Sequence, residues 1–363
     1  MNQQSLPLGL SLGVILIFMT MVLGVCLLVV FLYNLPVIFP PPGANNQVAG
    51  LATVVPTATP SATPPTPLPP PTATRTPTPP PVPPSVTPTR PAVAPPVAAP
   101  SPRQIVFVTE RNGFNSIFIM NPDGSEQRPL VPRNGNYYDY APAVSPDSRR
   151  LAFSSNREKP GTDNIYLMNL DGSGLTQITN TPNAKNASSS WFPDGRRLAF
   201  TSTRDGLWQA YTMNDDGSNV RRIIVSDQHI LNVALSPDGS KLAYTCGKEI
   251  CLANPDSSGQ RVLLQNGLAK DHLTWSPDSN LLGLTQANPN SNKTSLYVLD
   301  MQGNSRQVVS NGGWSAWSPD GATLVFSSDI GGVANLYLYT LETGQVRQLT
   351  KTGKADYTPV WVR

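Results

Sequence analysis

Short apolar strands recur at regular intervals in the C-terminal part of the chain, and most of them directly follow a Pro-Asp turn. The five turns begin at Ser145, Phe192, Ser236, Ser276 and Ser318, and the strands after them contain Phe153, Phe200, Tyr244, Leu284 and Phe326. A sixth strand, Ile105 to Phe107, lacks such a turn. From Phe107 onward the strands follow one another at intervals of 46, 47, 44, 40 and 42 residues. Repeats of this length predict the blades of a β-propeller.

Each repeat contains further strand signals. The segment Ile165 to Met168 is followed by Asp171-Gly172, and Ala210 to Met213 is followed by Asp216-Gly217. Asp-Gly between two alternating strands is typical of a hairpin. A short segment such as Leu175 to Thr179 then completes the repeat. We therefore predict four antiparallel strands in each blade.

The two ends of the repeat region complement each other. The C-terminal segment Asp356 to Val362 matches an innermost strand such as Asp139 to Val144, and its partner strands are available at the N-terminal end, from Gln104. The sequence therefore predicts an all-β, six-bladed propeller over residues 103–363. In this fold the N- and C-terminal strands share one blade and close the ring, which removes open sheet edges.

The repeated phrases resemble those of a known family. Ser318-Pro319-Asp320-Gly321, Leu198-Ala199-Phe200, Ser202-Thr203-Arg204-Asp205-Gly206 and Ile165-Tyr166-Leu167-Met168-Asn169 are similar to the repeats of TolB-type propellers. The resemblance covers residues 103–363 and implies the propeller fold. It implies less about function, because similar repeats occur in the propellers of prolyl-oligopeptidase-like peptidases and of unassigned surface proteins. TolB itself has an N-terminal α/β domain and the peptidases have a C-terminal hydrolase domain. We expect the anchor and the linker to take the place of the first, and we expect no counterpart of the second.

An uncharged N-terminal segment predicts a membrane anchor. Leu10 to Leu32 is a run of 23 mostly apolar residues, long enough as a helix to cross a hydrocarbon core of about 30 Å. A cleaved signal peptide would have a basic start and a small-residue cleavage site, and this segment has neither. We therefore predict that residues 1–39 form a single-pass transmembrane anchor in the cell membrane. Charge leaves the orientation open, and the order of anchor, uncharged tract and β-rich domain places the propeller on the extracytoplasmic side.

Residues 40–102 have the composition of a linker. They contain 23 of the 39 prolines, interleaved with Thr, Ala and Val. Each proline removes an amide donor and restricts φ, which favours extended polyproline II over helix or sheet. We predict a disordered, semi-rigid Pro/Thr-rich linker between anchor and propeller.

Charge and motif content exclude several function classes. Residues 103–363 contain 24 Lys/Arg and 23 Asp/Glu, without the basic stripe that nucleic-acid binding requires, so nucleic acid is not expected as a partner. The sequence contains no nucleophile elbow, zinc-protease motif, phosphate loop or dinucleotide fingerprint. The Asp-Gly turns, such as Asp215-Asp216-Gly217, invite a calcium interpretation, but turn geometry alone demands these residues. We predict no cofactor, no metal site and no catalytic residue, although a metal held by carboxylates is an alternative.

Two cysteines flank the shortest hairpin in the repeats. A two-residue turn at Lys248-Glu249 would place Cys246 directly opposite Cys251, at a distance that a disulfide can bridge. We predict that disulfide, which is typical of an oxidising exterior. Two buried free thiols are the alternative.

The residues just before each innermost strand should surround the mouth of the central channel. These candidate binding residues are Asp139, Tyr140, Asn186, His229, Asp271, His272, Trp314, Asp356 and Tyr357. Rigid aromatic rings mixed with carboxylates and imidazoles are typical of recognition surfaces. The alternative is structural, because Asp before Tyr also caps strands and tyrosines pack between blades.

Two functions from different classes fit this organisation. The first is a membrane-tethered, non-catalytic binding or sensing module whose partner is an envelope protein, peptide or glycan. The second is an extracytoplasmic propeller enzyme, such as a lactonase, lyase or hydrolase, with its site at the channel mouth.

Overall fold

A computed structural model describes residues 103–363 of the chain. The predicted anchor, residues 1–39, and the predicted linker, residues 40–102, lie outside this range. Within residues 103–363, no helix has the length and apolar character needed to cross a bilayer.

Six four-stranded antiparallel sheets make up the described residues. The strands of the first three repeats are β1 (Ile105–Thr109), β2 (Ser116–Met120), β3 (Arg128–Pro129), β4 (Asp139–Val144), β5 (Arg150–Ser155), β6 (Asn164–Asn169), β7 (Thr176–Gln177), β8 (Asn186–Trp191), β9 (Arg197–Ser202), β10 (Gln209–Asn214) and β11 (Arg221–Arg222). They are followed by β12 (Val233–Leu235), β13 (Leu242–Cys246), β14 (Glu249–Ala253), β15 (Arg261–Leu264), β16 (Lys270–Trp275), β17 (Leu281–Ala287), β18 (Thr294–Asp300), β19 (Ser305–Val309), β20 (Gly313–Trp317), β21 (Thr323–Ser328), β22 (Asn335–Thr340), β23 (Val346–Gln348) and β24 (Asp356–Trp361).

The C-terminal strand closes the ring. Blade 1 has the order β24-β1-β2-β3, and blades 2 to 6 consist of consecutive strands, from β4-β5-β6-β7 to β20-β21-β22-β23. Strand β24 pairs antiparallel with β1, so that Ile105 lies opposite Trp361 and Thr109 opposite Asp356. The prediction of a six-bladed propeller closed by its own two ends is confirmed.

The hydrophobic core is divided among the junctions between blades. Each of six clusters of buried side chains joins two neighbouring blades. Alternation along β1 shows how one strand serves two junctions: Val106 and Val108 pack toward blade 2, whereas Ile105 and Phe107 pack toward blade 6. Because successive side chains of a strand point to opposite faces, a strand between two junctions must be apolar on both faces. This explains the continuous apolar runs of the sequence.

The Pro-Asp turns are held by serine and aspartate side chains. In the first of them the Ser145 hydroxyl donates to Asp147 Oδ1 at 2.6 Å, and the backbone N–H of Arg149 donates to the same oxygen at 3.1 Å. The Ser145 hydroxyl, followed by the Arg149 amide, holds the pKa of Asp147 below its usual value. Ser236, Ser276 and Ser318 bond the aspartates of their own turns in the same way. The repeated aspartates thus serve turn geometry.

The hairpin between the two cysteines turns one residue earlier than predicted. The turn residues are Gly247 and Lys248, so Cys246 lies opposite Glu249 and Cys251 opposite Tyr244. Gly247 has φ +66°, as the first central residue of a type II′ turn requires. The predicted direct opposition of the cysteines is therefore wrong. Their sulfur atoms are nevertheless bonded in the structure, diagonally across the hairpin, with 6.0 Å between the Cα atoms.

The outermost strands combine short length with arginine. Strands β3, β7 and β11 have two residues each and β19, the longest of the six, has five. Five of the six carry an arginine at the same register position: Arg128, Arg221, Arg261, Arg306 and Arg347. Short, charged edges discourage pairing with strands of other molecules.

The blade junctions are close enough to require glycine in the Asp-Gly turns. Gly217, between β10 and β11, has φ +82°, and a Cβ atom there would lie 2.1 Å from the Ile178 carbonyl oxygen of blade 2. Gly161 has a similar φ of +84°, but nothing lies within 4 Å of its Cβ position.

We expect Gly217→Ala to destabilise the propeller more than Gly161→Ala does. Both variants incur the cost of a left-handed alanine, about 1–2 kcal/mol, and only Gly217→Ala adds an overlap between blades, about 1–3 kcal/mol. Urea unfolding of both variants and the wild type measures the difference. Equal losses of stability would show that the blades do not approach each other closely at Ile178.

Candidate functional site

The innermost strands β4, β8, β12, β16, β20 and β24 surround the central channel and begin at the same end of it. We call this end the mouth face, and the opposite end, which carries the Pro-Asp turns, the turn face. Five of the six innermost strands have a non-glycine residue in the left-handed region near their start: Ala141 (φ 49°), Ser188 (φ 51°), His272 (φ 47°), Trp314 (φ 44°) and Thr358 (φ 45°). The register of each pairing also shifts there. Such bulges re-aim side chains.

As a result, three predicted mouth residues are buried inside the blades. Asp139 is 1% exposed, and Asn186 and Asp356 are fully buried. An arginine binds each of these side chains: Arg157 contacts Asp139 at 2.8 Å, Arg111 contacts Asp356 at 3.0 Å, and Arg204 contacts Asn186 Oδ1 at 3.1 Å. We expected these three side chains to face a ligand. Because they are buried, they are not part of the candidate surface.

The three arginines have a second contact in common, because each covers an aromatic pair of its own blade. The guanidinium of Arg157 lies 5.2 Å from the Phe153 ring and 4.9 Å from the Tyr166 ring. The other two are arranged in the same way, with Arg111 over Phe107 and Phe118 and Arg204 over Phe200 and Tyr211. We call this unit the arginine staple. In each staple the guanidinium makes a cation–π contact with the aromatic pair and a hydrogen bond to a buried Asp or Asn of the innermost strand.

The arginine staple occurs in blades 1, 2 and 3. At the position of Asp139, blades 4, 5 and 6 have Ile230, Lys270 and Gly312 instead. Burial raises the pKa of Asp139, and the charge of Arg157 opposes that shift. In blades 2 and 3 the Ser-x-Arg motif, with Arg157 and Arg204, was the sequence signal for the staple, whereas blade 1 has Thr109-Glu110-Arg111. The residue that each arginine binds on the innermost strand could not be identified before the blades were aligned.

Three aromatic residues that were predicted at the mouth lie together as an arc on blades 6, 1 and 2. Trp314 and Tyr357 contact each other, with ring centroids 6.0 Å apart and planes tilted by 44°. The Tyr357 hydroxyl lies 2.5 Å from Asn115 Oδ1 and 3.2 Å from Glu110 Oε1. Burial, and then the charge of Glu110, raise the pKa of Tyr357 far above its usual value. The third member is Tyr140, and all three side chains are half-buried.

Tyr140 is anchored through its hydroxyl. It bonds the carboxylate of Asp163, whose pKa is raised by burial and lowered in turn by the charge of Lys185 and by this hydrogen bond. Lys185 Nζ lies 3.7 Å from Asp163 Oδ2. Both tyrosine hydroxyls are thus engaged, and the arc offers its rings for contact. We name Trp314, Tyr357 and Tyr140 the aromatic arc.

A hydrogen-bonded chain of polar residues spans the opposite side of the mouth. The Asn232 side chain of blade 4 donates to Asp271 Oδ1, which also accepts the backbone N–H of His272 at 2.8 Å. His272 Nε2 lies 2.9 Å from the carbonyl oxygen of Ser315 in blade 6. Because a carbonyl only accepts, Nε2 carries the proton. Burial lowers the pKa of His272, and the charge of Asp271 opposes the shift.

The second histidine stands apart from this chain. His229 lies in the connection between blades 3 and 4, where its Nδ1 accepts the backbone N–H of Trp208 at 3.2 Å. Of the nine predicted residues, the structure therefore joins Asp271 and His272 in the polar chain and Trp314, Tyr357 and Tyr140 in the aromatic arc. His229 fixes a loop instead.

Exposed apolar side chains concentrate on the mouth face. Nine large apolar residues are exposed among residues 103–363. Five of them lie in mouth-face loops: Tyr138, Leu207, Val225, Ile330 and Val333. Val225 is 77% exposed and Ile330 is 59% exposed. We call these five the apolar rim. These five residues were not predicted from the sequence, although one signal for them exists: Ile330 occupies the position of the staple arginine in blade 6.

A metal centre is not indicated by the described part of the chain. Among residues 103–363, no three or more His, Cys, Asp or Glu side chains come together in a group that could hold an ion. The mouth offers aromatic and aliphatic surface on one side and a chain of hydrogen-bonded polar residues on the other.

Comparison with known proteins agrees with this architecture. Residues 89–313, more than half of the chain, match the TolB beta propeller domain family. Two curated proteins share part of the sequence: a protein TolB homolog of Chlorobium luteolum, 28% identical over 144 residues, and the uncharacterized peptidase YuxL of Bacillus subtilis, 27% identical over 201 residues. The matches cover 40% and 52% of this chain and 31% and 29% of those proteins. The chain thus matches about a third of the length of these relatives.

A solved structure shows the same fold. The crystal structure of TolB from Acinetobacter baumannii superimposes with a TM-score of 0.62 at 19% sequence identity, over 72% of this chain and 66% of that one. At this identity the likeness concerns the fold alone.

The arginine staple predicts a sharp contrast between two substitutions in blade 2. Asp139→Asn should change the free energy of unfolding by less than about 1 kcal/mol, because Asn186 occupies the same position in blade 3 and the neutral amide avoids burying a charge. Arg157→Met leaves the Asp139 carboxylate buried without its partner and should cost about 3–5 kcal/mol. Chemical denaturation of both variants measures these values. Comparable losses in the two variants would contradict the pairing.

His272 should make stability pH-dependent. Its pKa is lowered in the folded protein from about 6.5 in the unfolded chain. The folded protein therefore favours the neutral imidazole, and the resulting stability is present above about pH 6.5 and is lost as the pH falls through the folded pKa. We expect wild type to lose more stability than His272→Asn between about pH 7.5 and pH 5, as measured by urea unfolding. Asparagine tolerates the left-handed backbone. Equal losses in both proteins would refute a neutral His272 in the folded state.

Proposed function

The chain belongs to the TolB beta propeller domain family, and from that premise we propose that its propeller is a non-catalytic module that binds another molecule at the mouth face. The partner that this face fits best is an envelope protein or an extended peptide, with a glycan as the other candidate. The observation that carries the proposal is the coincidence of the aromatic arc and the apolar rim on one face.

The composition of the mouth face favours a macromolecular partner. Protein interfaces are enriched in tyrosine and tryptophan at their centre, and their core is depleted of charge. The aromatic arc supplies such a centre, and its anchored tyrosines bring contact area at little cost in side-chain entropy. The apolar rim extends the contact to loops of blades 1, 3, 4 and 6. Exposed apolar residues clustered on one face of a protein mark interaction sites.

The chain enters the propeller from the other face. The backbone N–H of Arg103 donates to the carbonyl oxygen of Val362, just beyond the end of β24 at the turn face. In our proposal residues 1–39 anchor the chain in the cell membrane as a single span, residues 40–102 act as a linker, and the propeller works on the extracytoplasmic side.

A pair of matched surface variants tests the proposal. Ile330→Ser with Val225→Ser removes apolar rim residues, and Leu175→Ser with Val220→Ser removes exposed apolar residues from turn-face loops. All four positions are exposed, so both double variants should fold like wild type. The tagged full chain, extracted in detergent, is used to capture partners from an envelope extract, and captured proteins are quantified by mass spectrometry.

We expect at least one envelope protein to bind the wild type and the turn-face variant and to be reduced about tenfold or more with the mouth-face variant, the loss that about 1.4 kcal/mol produces. A partner lost equally from both variants, or retained by the mouth-face variant, would contradict binding at the mouth. The enzymatic alternative makes a different forecast, namely a stoichiometric divalent metal in the purified protein. Finding that metal would favour the enzyme over the binding module.

A further inference from the structure

Lys270, on the innermost strand of blade 5, is a buried ammonium group that takes part in none of the ion pairs among residues 103–363. The residue is 4% exposed. Its Nζ donates to the carbonyl oxygens of Lys248 at 2.7 Å and Leu268 at 2.8 Å, and to Asn266 Oδ1 at 2.6 Å. Three acceptors require three N–H donors, which only the charged amine has. Because all three acceptors are neutral, burying this charge is costly, and a carboxylate in their place would lower the cost.

Asn266 is the acceptor that can become a carboxylate. The next residue is Gly267, and both residues are exposed. Glycine has no Cβ atom to shield its backbone nitrogen from the preceding side chain. The Leu268 N–H donates to Asn266 Oδ1 at 3.2 Å, and this bond closes a ring that contains both Asn266 Cγ and Gly267 N. The turn therefore keeps an electrophilic carbon and a backbone nitrogen near each other.

Two donors act on the side-chain oxygen of Asn266, and one of them is charged. The Lys270 ammonium and the Leu268 N–H both bind Oδ1. The amide nitrogen donates to Gln286 Oε1 at 2.8 Å, which fixes the oxygen on the side of the lysine. Attack on Cγ would place negative charge on Oδ1, and donors that are already in position stabilise such a charge.

Three other Asn-Gly pairs lie in mouth-face connections, at residues 112–113, 134–135 and 311–312. In two of them the glycine nitrogen is engaged, because the N–H of Gly113 donates to the Glu110 carbonyl oxygen at 3.0 Å and that of Gly312 to the Thr294 carbonyl oxygen at 3.0 Å. These two nitrogens are thus held away from the preceding asparagine side chain.

The remaining pair, Asn134-Gly135, is the natural reference for Asn266-Gly267. Both pairs are exposed, and no acceptor among residues 103–363 binds the N–H of either glycine. The difference lies in the side-chain oxygen, since Asn134 Oδ1 accepts the neutral Tyr137 hydroxyl at 3.1 Å. The two sites thus share their local sequence and differ in the ammonium group.

We propose that Asn266 deamidates in the folded protein and that the Lys270 ammonium promotes the reaction. Gly267 N bonds to Asn266 Cγ, the Gly267 N–H and the Cγ–Nδ2 bonds break, and that proton leaves with the nitrogen as ammonia. Water from the solvent then opens the succinimide ring and leaves a carboxylate at position 266, in aspartate or isoaspartate. No oxidant or reductant is needed. The new carboxylate would lie beside Lys270, so the modification supplies the ion-pair partner that the unmodified chain lacks.

Reaction rates at two positions of the same molecule test the proposal. Tryptic peptides 262–270 and 134–149 contain Asn266 and Asn134, deamidation raises the mass by about 1 Da, and fragmentation assigns the change to a residue. The purified full chain in detergent is incubated at neutral pH, folded or in denaturing urea, and is digested after increasing times. In the folded protein we expect position 266 to react about tenfold faster or more than position 134, because only Asn266 has the charged oxyanion donor. In urea the two rates should become similar.

Equal rates at the two positions in the folded protein would overturn the proposal, and so would a folded rate at position 266 no higher than the rate in urea. Lys270→Met should slow the reaction at position 266 to the rate at position 134, and an unchanged fast rate in this variant would also overturn it. If Lys270→Met does not fold, the comparison of folded and unfolded wild type decides alone.

Asn266→Asp, which installs the product, tests the ion pair. We expect its thermal unfolding midpoint to lie about 2 °C or more above that of unmodified wild type. Asn134→Asp is the matched control and should not raise the midpoint, because no ammonium group binds that side chain. Equal midpoints for the two variants would contradict an ion pair with Lys270.

Discussion

Pairing between β24 and β1 is the interaction on which the rest of the structure depends. It joins residues about 250 positions apart in the chain, and it supplies blade 1 with its innermost strand. Each blade buries its two faces against its neighbours, so the two junctions of blade 1 are complete only when the ring is closed. Release of β24 would open the junctions on both sides of blade 1, would expose an edge of β1, and would remove Tyr357 from the aromatic arc. Non-local contacts of this kind are slow to form, because the loop entropy is lost before the contact is gained.

The six blades share one strand arrangement, but they differ in the contacts that fix the mouth-face ends of their innermost strands. In blades 1 to 3 an arginine joins the innermost strand to an aromatic pair behind it, with Asp356, Asp139 or Asn186 as the buried acceptor. Blades 4 to 6 use other devices: a disulfide in blade 4, the Lys270 contacts in blade 5, and in blade 6 a Gly312 that leaves no room for a Cβ beside the Phe326 ring. The loop of blade 6 is thereby released from the staple, and it presents Ile330 instead. Part of the binding surface that we propose therefore lies where blade 6 lacks the staple arginine and has Ile330 in its place.

Much of the fold could be predicted from the sequence, because spacing and alternation determine it. The interval between apolar strands predicted the blades, and the match of Asp356 to Val362 with an innermost strand predicted the closure. The positions of the side chains at the mouth were harder to predict from the sequence. Left-handed backbone at Ala141 and Thr358 leaves no trace in composition, since neither is glycine, and it accompanies the burial of Asp139 and Asp356 inside the blades. The hairpin turn was misplaced although glycine at position 247 favoured the earlier turn. The aromatic residues were found because Trp and Tyr are rare, whereas the apolar rim consists of common residues whose exposure depends on the fold.

Hydrogen exchange at the two ends of the propeller tests the closed ring most directly. In the intact protein, amides of β24 that bond to β1 should exchange as slowly as those of β1 itself, and both should lose protection together as urea is added, because opening either strand opens the whole ring. Mass spectrometry of peptides that cover residues 104–109 and 356–362 follows both strands in one experiment. Rapid exchange in the C-terminal peptide, with protection kept in the N-terminal one, would show that the ends do not share a blade. The aromatic arc, which needs Tyr357 on β24, would then not form at the mouth.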